Sequence, residues 1–86
     1  MSLSADKRHR QSVKRRQHNR SLRSEMRTGM RAFLRAVENG DKEHAPSLFR
    51  AAQQEIDDAA RKGAIPKQRA ARKKSRLQKK LNAILG

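Results

Sequence analysis

A chain of 86 residues has room for one small domain with a thin core, and this one sets 23 Lys and Arg against 8 Asp and Glu, a formal +15, with 34% apolar residues. Only two aromatic side chains are present, Phe33 and Phe49, which excludes the base-stacking platforms of RRM and OB-fold proteins; the lack of cysteine excludes disulfides and thiolate metal sites and allows a reducing compartment. Positive charge on this scale opposes compaction unless a polyanion neutralises it, so nucleic acid is the first partner to consider and an anionic membrane the second.

The opening "MSLSADKRHR" lacks the apolar stretch of a secretory signal, and no run approaches the roughly 18 apolar residues that cross a bilayer. An unprocessed, cytoplasmic chain is expected. Its charge comes in blocks: residues 1–35 hold 11 basic residues and 2 acids, residues 36–61 hold 3 and 6, and residues 62–86 hold 9 and none. A uniform basic tail would have no acidic middle. The block boundaries fall on helix breakers, "ENGD" at 38–41 and "RKGAIP" at 61–66, where Gly40 and Gly63 suit left-handed helix ends, Asp41 suits an N-cap and Pro66 a first helical position. Three helices in one domain spanning 1–86 follow, and no segment shows the period-2 alternation of a strand.

The first helix is expected over about 5–39. Leu22, Met26, Met30, Phe33 and Val37 recur at three- and four-residue steps and form one stripe toward a core. From Ser4 to Ser21 the only apolar side chains are Ala5 and Val13, so this half has little of its own protein to pack on. Gly29 costs the helix about 1 kcal/mol relative to Ala and permits a close approach. The second helix is expected over about 42–62, with Ala45, Leu48, Phe49, Ala52, Ile56 and Ala59 toward the core; Pro46 either begins it or sits in its first turns behind an Asp41 cap. The third, over about 66–85, turns Ala70, Leu77, Leu81 and Ile84 inward and carries Arg69, Arg72, Lys73, Arg76, Lys79 and Lys80 about 130° away.

Short connections favour an all-α, up-down-up bundle. A first helix of roughly 50 Å beside a second of roughly 30 Å leaves the basic start projecting by about 20 Å. Along it Arg16, Arg20, Arg23, Arg27 and Arg31 form a ladder about 100° round from the apolar stripe. With the third helix this makes one broad cationic surface. A solvated helix face normally interleaves acids; these blocks lack them, and the predominance of Arg in the first block suits forked contacts to phosphate.

Other chemistries fit poorly. Glu55, Asp57 and Asp58 are balancing surface charges, since acid-base catalysis needs a pocket that a bundle this small does not supply. His9, His18 and His44 lack metal-ligand spacing, and His18 beside Asn19 and Arg20 suits a hydrogen bond to phosphate or sugar. Neither enzymatic activity, a cofactor, a metal nor a small-molecule substrate is expected. A membrane-surface helix needs apolar anchors, and the basic segment 7–21 offers only Val13.

Taken together, "RQSVKRRQHNRSLRSEMRT", "ENGDK" and "RKGAIPKQRAARKKSRL" resemble the family of the bacterial small-subunit ribosomal protein numbered twenty. The resemblance covers nearly the whole chain. It departs at the start, where "LSADKRHR" stands in place of an N-I-K-S-A-K-K-like stretch, and at Gln68, where the family often has Asn. The resemblance implies a three-helix bundle that binds small-subunit rRNA directly, at the 5′ domain and the long penultimate stem. It implies rRNA contact at Lys14, Arg15, Arg16, Asn19, Arg20, Ser21 and Arg23, and at Lys67, Ala71, Arg72, Lys74, Ser75 and Arg76. The charge pattern adds Lys7, Arg8, Arg10, His18, Arg27, Arg31, Arg69, Lys73 and Lys79. The expected protein is a monomer within the ribosome, clamping RNA segments that would otherwise repel, with other ribosomal proteins at its periphery.

The alternative is a nonspecific DNA-binding, nucleoid-type protein, because phosphate contacts alone do not separate RNA from DNA. "AARKKSR" has the look of a bZIP basic region, but Ser75-Arg76 is displaced by one residue and no heptads follow.

Overall fold

The computed structural model describes residues 2–86, with side chains from Ala5 onward. Helix α1 runs Ser2–Glu38, α2 Ala45–Arg61 and α3 Lys67–Leu85. Among the described residues there is no strand.

Both interhelical turns are built by their glycines. Gly40 has φ 65° and Gly63 φ 80°. Around Gly40, the Asp41 N–H donates to the Ala36 carbonyl at 2.9 Å and the Gly40 N–H to Val37 at 3.1 Å. Around Gly63, Ala64 donates to Ala59 at 2.7 Å and Gly63 to Ala60 at 3.1 Å. Each is a Schellman closure, which satisfies the last carbonyls of the helix and needs a left-handed residue at the glycine. The second closure also turns Ala64 and Ile65 back into the core, where both are buried. Helical periodicity does not extend into a loop, and these two were not expected there.

All three helix starts differ from the expected ones. Helix α2 begins at Ala45 rather than 42. Asp41 does not cap α2, whose N-cap is His44 without a side-chain cap bond; it closes the preceding turn instead, its Oδ1 accepting from the His44 N–H at 3.1 Å and its carbonyl from the Ala45 N–H at 3.0 Å. Pro46 then has no N–H to donate to the Lys42 carbonyl, so residues 42–44 stay a separate turn. Pro66 lies one position outside α3, extended at φ −66°, ψ 148°, and its carbonyl accepts from the Ala70 N–H at 3.1 Å. Helix α1, in turn, starts three residues earlier than expected.

The core forms where the stripes meet. Leu22, Met26 and Phe33 of α1 face Ala45, Phe49, Ala52, Ile56 and Ala59 of α2, and Ala70, Leu77 and Leu81 of α3 close the cluster. Phe33 and Ile56 are fully buried, and the rings of Phe33 and Phe49 meet tilted at 58° with centroids 5.7 Å apart. Met30, Val37, Leu48 and Ile84 are only partly covered, and Ala36 joins the core from a position that the expected stripe omitted. Phe33 opposite Phe49, Gly29 opposite Glu55 and Arg23 opposite Ala64 make α1 and α2 antiparallel. Helix α3 returns antiparallel along α2 and touches α1 more sparsely.

At 1.5 Å per residue α1 is about 55 Å long and α2 about 25 Å, in a molecule measuring 63 × 20 × 14 Å. The overhang is therefore about 30 Å, longer than expected, because α1 begins earlier and α2 is shorter. Among residues with described side chains, none before Leu22 is buried.

Candidate nucleic-acid interface

The projecting half of α1 is a helix without a protein neighbour on which to fold its cations away. Lys7, Arg8, Arg10, Lys14, Arg15, Arg16, His18, Arg20 and Ser21 are all exposed, and Asn19 is partly covered. At 100° per residue they do not share a face: Lys7, Arg10 and Lys14 lie together on one side, Arg8 and Arg15 on a second, Arg16 and Arg20 on a third. The overhang is cationic all round.

Further along, the ladder meets the bundle. Arg27 and Arg31 are exposed, whereas Arg23 is partly buried and its Nη1 donates to the Ala64 carbonyl at 3.3 Å. Arg23 thus ties α1 to the turn that launches α3, and one end of that guanidinium is already engaged in the free protein. This contact also lays the ladder alongside the start of α3.

The candidate residues of α3 divide between two faces. Arg69, Arg72, Arg76 and Lys79 are exposed on one side, with Lys73 partly covered at its edge; Lys67, Ala71 and Ser75 are exposed on the other, together with Lys74. Lys74 is partly covered, and its Nζ pairs with Asp57 Oδ1 of α2 at 2.7 Å. Besides Arg61, which pairs with Asp58 at 2.7 Å, it is the one Lys or Arg with a carboxylate partner among the described residues. Little of the positive charge is therefore neutralised internally. Lys74 and Arg23 were expected only as rRNA contacts; the fold gives each a structural partner as well, a pairing that depends on tertiary register and has no signature in the local sequence.

Most of the acids lie on α2 and in the α1–α2 turn; Asp6 and Glu25 stand on the cationic part of α1, and Glu25 lines a shallow pocket with Arg20 and Arg27. Asp41 sits in the α1–α2 turn, where the His44 N–H and ring Nδ1 hold its carboxyl below its ordinary value of 3.8. The same pair raises the His44 imidazole above 6.5, chiefly through the hydrogen bond to Asp41. Glu55, read from sequence as a simple surface charge, is partly covered and lies against α1 at Gly29, where an added Cβ would collide with its carboxylate. Burial, then the nearby charges of Glu25 and Asp58, push its pKa upward.

Among the described residues no group of three His, Asp or Glu side chains is placed to hold a metal ion, and no helix is long and apolar enough to cross a membrane. What the arrangement offers is a display of exposed guanidinium and ammonium groups along a long helix and one side of a bundle.

Comparison with known proteins agrees with this display. The family model described as ribosomal protein S20 matches residues 2–82. The chain is 51% identical over 83 residues to a small ribosomal subunit protein bS20 from Hydrogenovibrio crunogenus, covering 96% of this chain and 95% of the relative. It is similarly 53% identical over 81 residues to the bS20 of Legionella pneumophila, covering 94% and 92%, and 49% identical over 80 residues to that of Bacillus cytotoxicus, covering 93% and 94%.

Proposed function

The chain belongs to the ribosomal protein S20 family, a family of structural and non-enzymatic proteins, and on that premise we propose that it acts in the small ribosomal subunit by binding small-subunit rRNA directly. The observation that carries the reading is the overhang of α1, whose exposed cations point in every direction from a helix that has no protein core before Leu22. A helix that met one duplex would need cations on one side only. Cations on three sides suit insertion between RNA segments, where phosphates approach from more than one direction and each guanidinium replaces condensed counterions.

In this reading Lys7, Arg10 and Lys14 meet one wall of phosphates, and Arg16, Arg20, Arg27 and Arg31 meet another. The exposed side of α3, with Arg69, Arg72, Arg76 and Lys79, extends the second contact. The buried stripe holds Arg27, Arg31 and the cations of α3 in fixed relative positions, and the overhang settles on RNA, so that the protein recognises an arrangement of phosphates rather than a base sequence. Its work is to bring mutually repelling RNA segments together and hold them, in the ribosomes of the cytoplasm.

Competition binding tests this against the nucleoid-type alternative. Folded small-subunit rRNA should displace the protein from an equal length of duplex DNA at physiological salt, and ribonuclease footprints should fall on discrete segments. Equal affinity for the two nucleic acids, with no discrete footprint, would support nonspecific binding instead.

A further inference from the structure

On the flank of α1 about 160° round from the arginine ladder, α1 and α2 enclose an open groove of about 400 Å³. Its floor is apolar, made by Gly29, Ala32, Leu48 and Ala51, and two carboxylates, Glu25 and Glu55, stand at it. In a chain with 23 Lys and Arg, neither carboxylate has a cationic partner among the described residues. Burial and Glu25 together raise the Glu55 pKa, which is the expected response to two like charges at a partly dry site. The groove repels phosphate; it lies on the side of α1 that carries Lys7, Arg10 and Lys14 nearer the N-terminus, and Glu25 at its edge also lines a shallow pocket with Arg20 and Arg27, but the RNA reading gives its two carboxylates no part.

We propose that this groove receives an arginine side chain from a basic segment of a neighbouring protein, its aliphatic stem on Ala32, Leu48 and Ala51 and its guanidinium between Glu25 and Glu55. The chemistry matches in both halves. An arginine covers apolar surface with its methylenes while keeping its head polar, and its planar fork can satisfy two carboxylates at once, which a lysine ammonium does less well. Gly29 contributes by leaving room at the α1 backbone for the Glu55 carboxylate, since a Cβ there would strike it. The proposal rests on the ribosomal reading, because it is in an assembled ribonucleoprotein that a basic segment of a neighbouring protein is held beside a chain of +15.

The test uses the intact free protein with methyl-labelled Ala and Leu, titrated at physiological salt with two short peptides, one carrying a single arginine and the other citrulline in its place. At that ionic strength screening acts over about 8 Å, so distant cations are damped while contact in the groove survives. The Ala32, Ala51 and Leu48 methyl signals should shift saturably with the arginine peptide and not with the citrulline peptide. In the double variant E25Q/E55Q, which removes a like-charge repulsion and keeps side-chain size, the shifts should vanish while circular dichroism stays unchanged. Its affinity for small-subunit rRNA should be equal or higher. Absent shifts in the parent chain, equal shifts with citrulline, or shifts that persist in E25Q/E55Q would each overturn the proposal, as would a loss of rRNA affinity in that variant, which would make the groove part of the RNA contact. Failure of the parent chain to prefer rRNA over DNA would instead refute the ribosomal reading, and the methyl titration is read independently of it.

Discussion

Truncating Leu77 to Ala should remove much of the free energy that holds α3 in place. Leu77 is 2% exposed at the middle of the helix, between Ala70 at 3% and Leu81 at 7%, so the substitution deletes buried carbons and leaves a cavity bounded by α1 and α2. Leu→Ala changes in well-packed cores cost about 2 to 5 kcal/mol depending on how far the site collapses. Here α3 lies on one side of a two-helix pair and can settle inward, which places the expected cost near 3 kcal/mol. Small domains are stable by about 0.05 to 0.15 kcal/mol per residue, or about 3 to 9 kcal/mol for the bundled part of this chain, so the loss is a third or more of the total. Urea titration followed by far-ultraviolet circular dichroism measures it, with Leu85→Ala, at a position 49% exposed, as the control expected to cost under about 1 kcal/mol. Equal effects of the two substitutions, or a Leu77→Ala loss below about 1 kcal/mol, would show that α3 is not part of a packed bundle.

Hydrogen exchange on the free protein should find weak protection across residues 7–16 and strong protection from Leu22 onward, with protection of the overhang appearing only on RNA, because exposed like charges without a core cannot offset the entropy of ordering; strong protection of the overhang without RNA would contradict this. Asp57→Asn releases Lys74 from its 2.7 Å ion pair, and should raise rRNA affinity by about 1.5- to 5-fold at a stability cost below about 1 kcal/mol, as read by filter binding and urea titration; reduced affinity would mean that Asp57 positions Lys74 for RNA. The Asp41–His44 pair carries its own pH signature. Its Asp41 contribution is present above 3.8 and lost as pH falls through the lowered carboxyl pKa, and its His44 contribution is present below 6.5 and lost as pH rises through the raised imidazole pKa. Nuclear magnetic resonance titration should therefore find His44 titrating above the ordinary histidine value of 6.5, and Asp41→Asn should bring it back toward that value.

The helices and most of the core were legible because their apolar residues recur at three- and four-residue steps and their ends carry Gly40 and Gly63, whose left-handed backbone the turns require. What escaped the sequence was set by contacts between elements. Ala64 and Ile65 enter the core because a Schellman turn folds them back, which no helical period announces. The start of α2 was ambiguous at Pro46, since a capping Asp41 and a missing N–H compete over the same turn, and in the structure the missing N–H sets the start while Asp41 closes the turn before it. On the cationic side, the positions of charge were readable, but Arg23 on the Ala64 carbonyl and Lys74 on Asp57 depend on how three helices register. The pairing of Glu25 with Glu55 across a groove was hidden for the same reason: 30 residues of chain separate two acids that each look like ordinary balancing charges.

The central claim, that defined cations on α1 contact rRNA phosphates rather than lending diffuse charge, is tested most directly by the salt dependence of rRNA binding in two single-residue variants of equal charge. Arg20→Ala changes an exposed ladder residue, and Arg50→Ala changes an exposed residue of α2 within the acidic block. The account predicts that Arg20→Ala weakens binding and lowers the log-log slope of affinity against salt by somewhat under one unit, with Arg50→Ala nearly silent in both. Equal losses of affinity and slope in the two variants would contradict it.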